Sequence, residues 1–148
     1  MGRWSFQVTT RCAAPVEVVW PLVAEAERWK EWSMLTGARL LRAGDPVPDG
    51  VGALRRFTIG GVGSQEEVVA WEAPHHLAYV LRKGFPVRNY RADVFLRPDG
   101  EGTALTWRST FDALVPGTGL LCREVLHWLI AAFARQLRRA TARRVAPH

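Results

Sequence analysis

The chain of 148 residues carries 20 Lys and Arg against 14 Asp and Glu, for a net charge of +6, with 48% hydrophobic and 23% charged residues. That balance excludes a disordered chain, and residues 1–148 read as one domain able to bury roughly 68–70% of its unfolded surface. No apolar run reaches the ~18 residues of a membrane-spanning helix, and Cys12 and Cys122 are too few for a disulfide framework or a zinc site.

The opening MGRWSFQV has no apolar signal core, which together with the cysteine usage sets the expectation of a cytoplasmic protein. Residues 4–12 then alternate, with Trp4, Phe6 and Val8 against Ser5, Gln7 and Thr9, as a strand does. Ala14-Pro15 opens a helix, Pro15 suiting its first position. Val16, Val19, Trp20 and Val23 recur at i, i+3, i+4 and i+7, and Pro21 predicts a kink or an early end. Residues 25–32 read as a second short helix, with Trp29 and Trp32 on one side.

From Gly37 the pattern changes to strands. Residues 38–42, 52–59, 65–72, 77–83, 90–97 and 103–111 show period-two patterning or β-branched and aromatic content. Turn clusters separate them, among them Gly60-Gly61-Val62-Gly63 and Lys83-Gly84-Phe85-Pro86, and connections this short favour antiparallel neighbours. The last element is a helix beginning between Pro116 and Leu120, with Thr118 as candidate N-cap. Continued to Arg144 it would span roughly 37 Å. On a helical wheel Leu121, Val125, Trp128, Leu129, Ala132 and Phe133 share a side, widened by Leu126, Ile130 and Leu137 to roughly 200°. Arg123, Glu124, His127, Arg135 and Arg138 form the polar strip. A helix this apolar needs an element that wraps it. Five arginines lie between Arg135 and Arg144; positive charge there complements the helix macrodipole, and no nucleic-acid partner is expected.

A sheet with helices at both ends of the sequence must cover one face, and only the long helix can do so. In this order the chain resembles the START-like, helix-grip superfamily, also called SRPBCC or polyketide cyclase/dehydrase-like. The resemblance rests on Ala14-Pro15 with Val18-Val19-Trp20, on Trp29-x-x-Trp32, and on Trp71-Glu72-Ala73-Pro74 with Leu77-Ala78-Tyr79. It continues in Leu96-x-Pro98, in Gly102-Thr103-x-Leu105-x-Trp107 and in the terminal helix. It implies an α+β fold, a seven-stranded curved antiparallel sheet wrapped around the long C-terminal helix, with two short helices after the first strand. It also implies an apolar cavity between sheet and helix. Members include aromatic polyketide cyclases, lipid carriers and chaperone activators, so the fold alone does not choose a function.

The pleat selects which residues face that cavity. Leu105, Trp107 and Phe111 form one inward row; Tyr90, Ala92, Val94 and Leu96 the next; then Leu77, Tyr79 and Leu81; then Val69 and Trp71; then Phe57 and Ile59. The expected ligand-binding set is Phe57, Trp71, Tyr79, Tyr90 and Trp107 from the sheet and Leu129 and Phe133 from the helix, with Trp32 and Met34 near the mouth.

Two charged doublets carry the remaining signal. Successive strand residues point to opposite faces, so Arg55-Arg56 and Glu66-Glu67 each send one charge inward. Registering on Phe57 and Ile59 selects Arg55; registering on Val69 and Trp71 selects Glu67. Buried charges need partners, so these two are expected to pair or to meet a polar ligand group. Gln136 falls within the apolar arc of the long helix. Adjacent His75 and His76 point apart in a strand and read as surface residues. No Gly-x-Ser-x-Gly, His-Glu-x-x-His or phosphate loop is present, and neither a metal site nor a cofactor is called for.

The leading expectation is a protein that binds a small hydrophobic molecule, lipid-like or aromatic. The alternatives are a polyketide cyclase or dehydratase using Arg55, Glu67 or Tyr79, and a protein-interaction module. A dry pocket favours the first, ionisable groups deep in the pocket the second, a filled core the third.

Overall fold

A computed structural model describes residues 3–145. The elements follow in chain order as β1 (Trp4–Cys12), α1 (Val16–Ala24), a 3-10 helix (Ala26–Glu31), β2 (Gly37–Arg42), β3 (Leu54–Ile59) and β4 (Val62–Glu72). After these come β5 (His76–Lys83), β6 (Val87–Asp99), β7 (Gly102–Ala113) and α2 (Gly119–Val145). All seven strands are antiparallel neighbours in one sheet ordered β1-β7-β6-β5-β4-β3-β2, in which β1 with β7 is the non-sequential pairing. The expected α+β grip, one curved sheet holding one long helix, is the architecture the chain adopts.

α1 runs through Pro21 and stops at Ala24, where the Glu25 amide donates to the Pro21 carbonyl over 3.0 Å. Pro15 stands just outside the helix, its carbonyl accepting from the amides of Val18 and Val19. Trp29 and Trp32 fasten the 3-10 turn to α1: their indole N–H groups donate to the carbonyls of Val23 at 2.9 Å and Leu22 at 2.8 Å. Both rings are buried with their polar atoms satisfied, the condition under which an indole contributes its full apolar area.

α2 buries Cys122, Leu126, Ile130, Phe133, Leu137 and Ala140. The wheel placed Leu121, Val125 and Trp128 in that face. They lie instead outside it, Leu121 and Trp128 being 66% and 64% exposed. Contacts at the helix's first half explain the rotation. Gly119 sits against the Trp4 indole so closely that a Cβ there would collide with the ring. The Arg123 guanidinium donates to the Ser5 carbonyl at 2.9 Å, and His127 stacks on Phe6 at 5.3 Å. Two residues expected in water therefore lean on β1, and their opposite neighbours turn outward. Thr118 precedes the helix, its carbonyl accepting from Cys122, but its hydroxyl donates back to Val115 at 2.6 Å rather than capping an amide.

Candidate functional site

Between α2 and the β3–β6 part of the sheet lies a mostly apolar cavity of about 210 Å³. It is narrower than the roughly 300–1,000 Å³ of drug-sized sites. It exceeds the ~150 Å³ that accommodates a single benzene. β3 contributes Phe57 and Ile59, β4 Val62, Ser64 and Glu66, β5 Tyr79 and Leu81, and β6 Tyr90. Leu126, Leu129, Ile130 and Phe133 of α2 close the other side, with Trp29 and Leu35 at one end. The mouth opens past Ile59, Val62, Phe85 and Leu129; Val62 is 73% exposed. Gly84 belongs to this rim because its φ of 117° and its contact with the Gly63–Ser64 backbone both exclude a side chain.

Irregularities in the ladder determine what faces inward. β4 pairs Val68 with Tyr79 and then Ala70 with Ala78, leaving Val69 as an extra residue. A bulge of this kind exchanges the two faces of the strand beyond it. Trp71 is inward on one side of the bulge, so on the other side Glu66 and Val68 are inward, and Glu67 is not. The expectation for Glu67 is thus corrected: its carboxylate lies on the outer face, 3.1 Å from Arg82 and 3.4 Å from Arg42. A second bulge lies between Arg88 and Arg91, with Asn89 at φ 53°, and it sets Tyr90 against the cavity. Asn tolerates that left-handed conformation better than most residues.

Arg55 faces inward and is 0% exposed. It stands opposite Glu66 in the β3–β4 register and donates from Nη2 to Glu66 Oε1 over 2.9 Å. Its guanidinium carbon lies 4.9 Å from the Tyr79 ring centre, 5.0 Å from Phe57 and 5.7 Å from Trp29. The π-faces of three rings thus share the positive charge with Glu66. Nε and Nη1 of Arg55 find no hydrogen-bond partner among the described residues. Burial pushes the Glu66 carboxyl above its ordinary range, and the Arg55 charge and hydrogen bond draw it part of the way back. The Tyr79 and Tyr90 hydroxyls are likewise raised, chiefly by burial, so both stay protonated at neutral pH. Trp107 Nε1–H donates to the Tyr79 hydroxyl at 3.2 Å, and the Tyr90 hydroxyl is 3.0 Å from Ser109 Oγ.

Of the residues expected at the site, Phe57, Tyr79, Tyr90, Leu129 and Phe133 line the cavity. Trp107 lies behind Tyr79 and orients its hydroxyl. Trp71 packs edge-on against Trp20, 5.2 Å away, in a separate part of the core. Trp32 is covered by Trp29 and Phe133, and the Met34 amide donates to Gln136 Oε1 at 2.9 Å. The mouth expected beside Trp32 and Met34 is displaced to the rims of the β3–β4 and β5–β6 hairpins. Glu66, Ser64 and Phe85 were missed; the Glu66-Glu67 doublet required one inward carboxylate but its register selected Glu67, and nothing in the sequence marked the other two. His76 is held between Glu72 and Asp93, each at 2.8 Å, and stacks on Phe95. Among the described residues no cluster of three or more His, Cys, Asp or Glu comes together around a common point, and no helix is long and apolar enough to cross a membrane.

A curved antiparallel sheet gripping one long helix over an apolar cavity defines the helix-grip class. The START superfamily protein of Mycobacterium smegmatis has this fold, matching with a TM-score of 0.78 at 17% identity over 96% of this chain and 99% of that one. A Thermobifida fusca protein solved by NMR in solution gives 0.77 at 25% identity over 97% of each chain. A crystal structure of a Thermus thermophilus protein gives 0.72 at 18% identity over 97% of this chain and 100% of that one. No curated protein matches the sequence. Residues 3–143 match the polyketide cyclase/dehydrase and lipid transport family, and the chain belongs to it.

Proposed function

We propose that this protein binds a small, largely apolar molecule of one or two rings, or a short acyl chain, in the cavity between α2 and β3–β6. The observation that carries this reading is the cavity itself: an apolar space of about 210 Å³, opening between two hairpin rims beside a densely buried core. Family and fold fit a domain that binds hydrophobic ligands. Aromatic and aliphatic walls supply the transfer energy, and the few polar groups on the wall set orientation.

Naphthalene is a suitable probe, since its own fluorescence reports entry into the cavity. It is expected to bind the native protein with a dissociation constant in the micromolar range, about −8 kcal/mol at 1 μM. Leu129→Trp, at the rim, and Ser64→Leu, on the wall, should each weaken binding at least tenfold while far-UV circular dichroism and cooperative melting persist. Binding unchanged in both folded variants would remove the cavity from the proposal. A cyclase or dehydratase acting on a polyketide-like substrate is the second reading, favoured by one carboxylate and two phenols on the cavity wall. Under the binding reading, mass spectrometry recovers a bound compound unchanged; conversion of a small β-polyketone would favour the enzyme.

A further inference from the structure

We propose that the cavity selects an uncharged ligand bearing a hydroxyl group, a phenol or an alcohol, which donates its hydrogen bond to Glu66. This rests on the cavity reading above and specifies the chemistry of its polar end. Glu66 lies on the cavity wall with its side chain 14% exposed, and one of its oxygens accepts from Arg55 Nη2. The other oxygen receives no protein hydrogen bond among the described residues. An acceptor left open on an apolar wall is matched by a ligand that brings a donor, and the same acceptor repels one that brings only further acceptors.

Charge points the same way. Arg55 and Glu66 form a neutral pair, so the cavity offers no net attraction to an anion or to a cation. The guanidinium is fully enclosed and flanked by Tyr79, Phe57 and Trp29, which keeps it from the ligand space as a direct anion receptor. A ligand carboxylate would instead meet Glu66 first, and two adjacent carboxylates cannot both remain ionised without cost. The carbonyl- or carboxylate-bearing ligand suggested by an inward arginine alone is therefore disfavoured, because the arginine arrives already paired. The second hydroxyl partner is at hand: Tyr79 lines the same cavity, and its phenol oxygen is held in place by Trp107.

The test compares naphthalene, 2-naphthol, 2-naphthoate and 2-naphthylmethylammonium by fluorescence titration at pH 7. The expected order is 2-naphthol at least tenfold tighter than naphthalene, with naphthoate and the ammonium compound both weaker than naphthalene. Glu66→Gln, which removes the repelling carboxylate and leaves the Arg55 charge unpaired, should raise naphthoate to at least the affinity of naphthalene. The double variant Arg55→Met/Glu66→Leu, which replaces the pair by apolar side chains and leaves no lone buried charge, should retain naphthalene binding and abolish the naphthol advantage. Naphthoate or the ammonium compound binding tightest, or naphthol no tighter than naphthalene, overturns this inference and leaves the cavity proposal standing. Failure of all four compounds to bind overturns both.

Discussion

The two ends of the sheet meet α2 in opposite ways. At the β1–β7 end the contact is solid: Phe6 stacks on His127, Gly119 rests on Trp4, and Leu105, Trp107 and Phe111 are almost wholly buried. At the β3–β5 end the same helix faces an open space with a buried ion pair on its wall. Anchoring a long helix along one edge allows the other edge to stand clear of it, because the anchored half carries the burial energy. A uniformly packed interface would be more stable and would leave no space; close packing and open cavity are here separated along one helix.

The contrast is broken most directly by truncation. Phe111→Ala should cost roughly 3–5 kcal/mol, the usual loss for a fully buried phenyl ring. Leu129→Ala, half-buried at the cavity rim, should cost under about 1 kcal/mol, because the space it lines is already empty. Urea denaturation of the two variants measures both, and equal losses would mean that the helix is held as firmly at its open end as at its closed one.

A somewhat smaller effect is expected within the wall. Arg55→Met leaves the Glu66 carboxylate without its partner and should destabilise by about 3 kcal/mol. Arg55→Met/Glu66→Leu should recover most of that loss, and a double-mutant cycle should show coupling well above about 0.5 kcal/mol, the scatter expected of independent sites. Arg56 and Glu67, on the outer face and not opposite each other in the β3–β4 register, should show coupling of about zero.

Smaller again is a pH effect. Glu66 is raised, by burial first, with the Arg55 charge and hydrogen bond opposing. A carboxyl whose folded value lies above its unfolded one takes up its proton in the folded state first. Its contribution therefore favours folding at acid pH and is lost as pH rises through the folded value. In binding, protonation turns the charged acceptor into a weaker neutral one: 2-naphthol should weaken about tenfold between pH 7 and 4.5, or ~1.4 kcal/mol, while naphthalene stays constant. Parallel titrations of the two probes make the comparison. The smallest effect belongs to the outer face of α2, where Trp128→Ser should change stability by no more than about 0.5 kcal/mol in a thermal melt.

Much of this was readable from residue patterns. The order of strands and helices follows from turn residues and from alternation, and Arg55 is inward because β3 is regular between it and Phe57. Tyr79 and Tyr90 were found the same way. The reading of Glu67 failed at one residue, Val69, where the ladder slips and no residue type announces it. The reading of α2 held for Leu126, Ile130, Ala132, Phe133 and Leu137 and went wrong for Leu121, Val125 and Trp128. Apolar side chains surround most of the circumference, so hydrophobicity alone could not choose between the Leu121–Trp128 side and the Leu126–Ile130 side.

What the sequence determined by itself is therefore local: which segments extend, which coil, where they turn, and that one arginine of a doublet must point inside. These depend on periods of two and of 3.6 residues, which a chain carries wherever it goes. What only the tertiary structure decided is relational. Contacts with Trp4, Ser5 and Phe6 turned α2 about its axis, and a bulge gave Glu66 rather than Glu67 to the interior. The cavity belongs to the second kind, since an empty space is made by the spacing between elements and has no residue of its own to announce it.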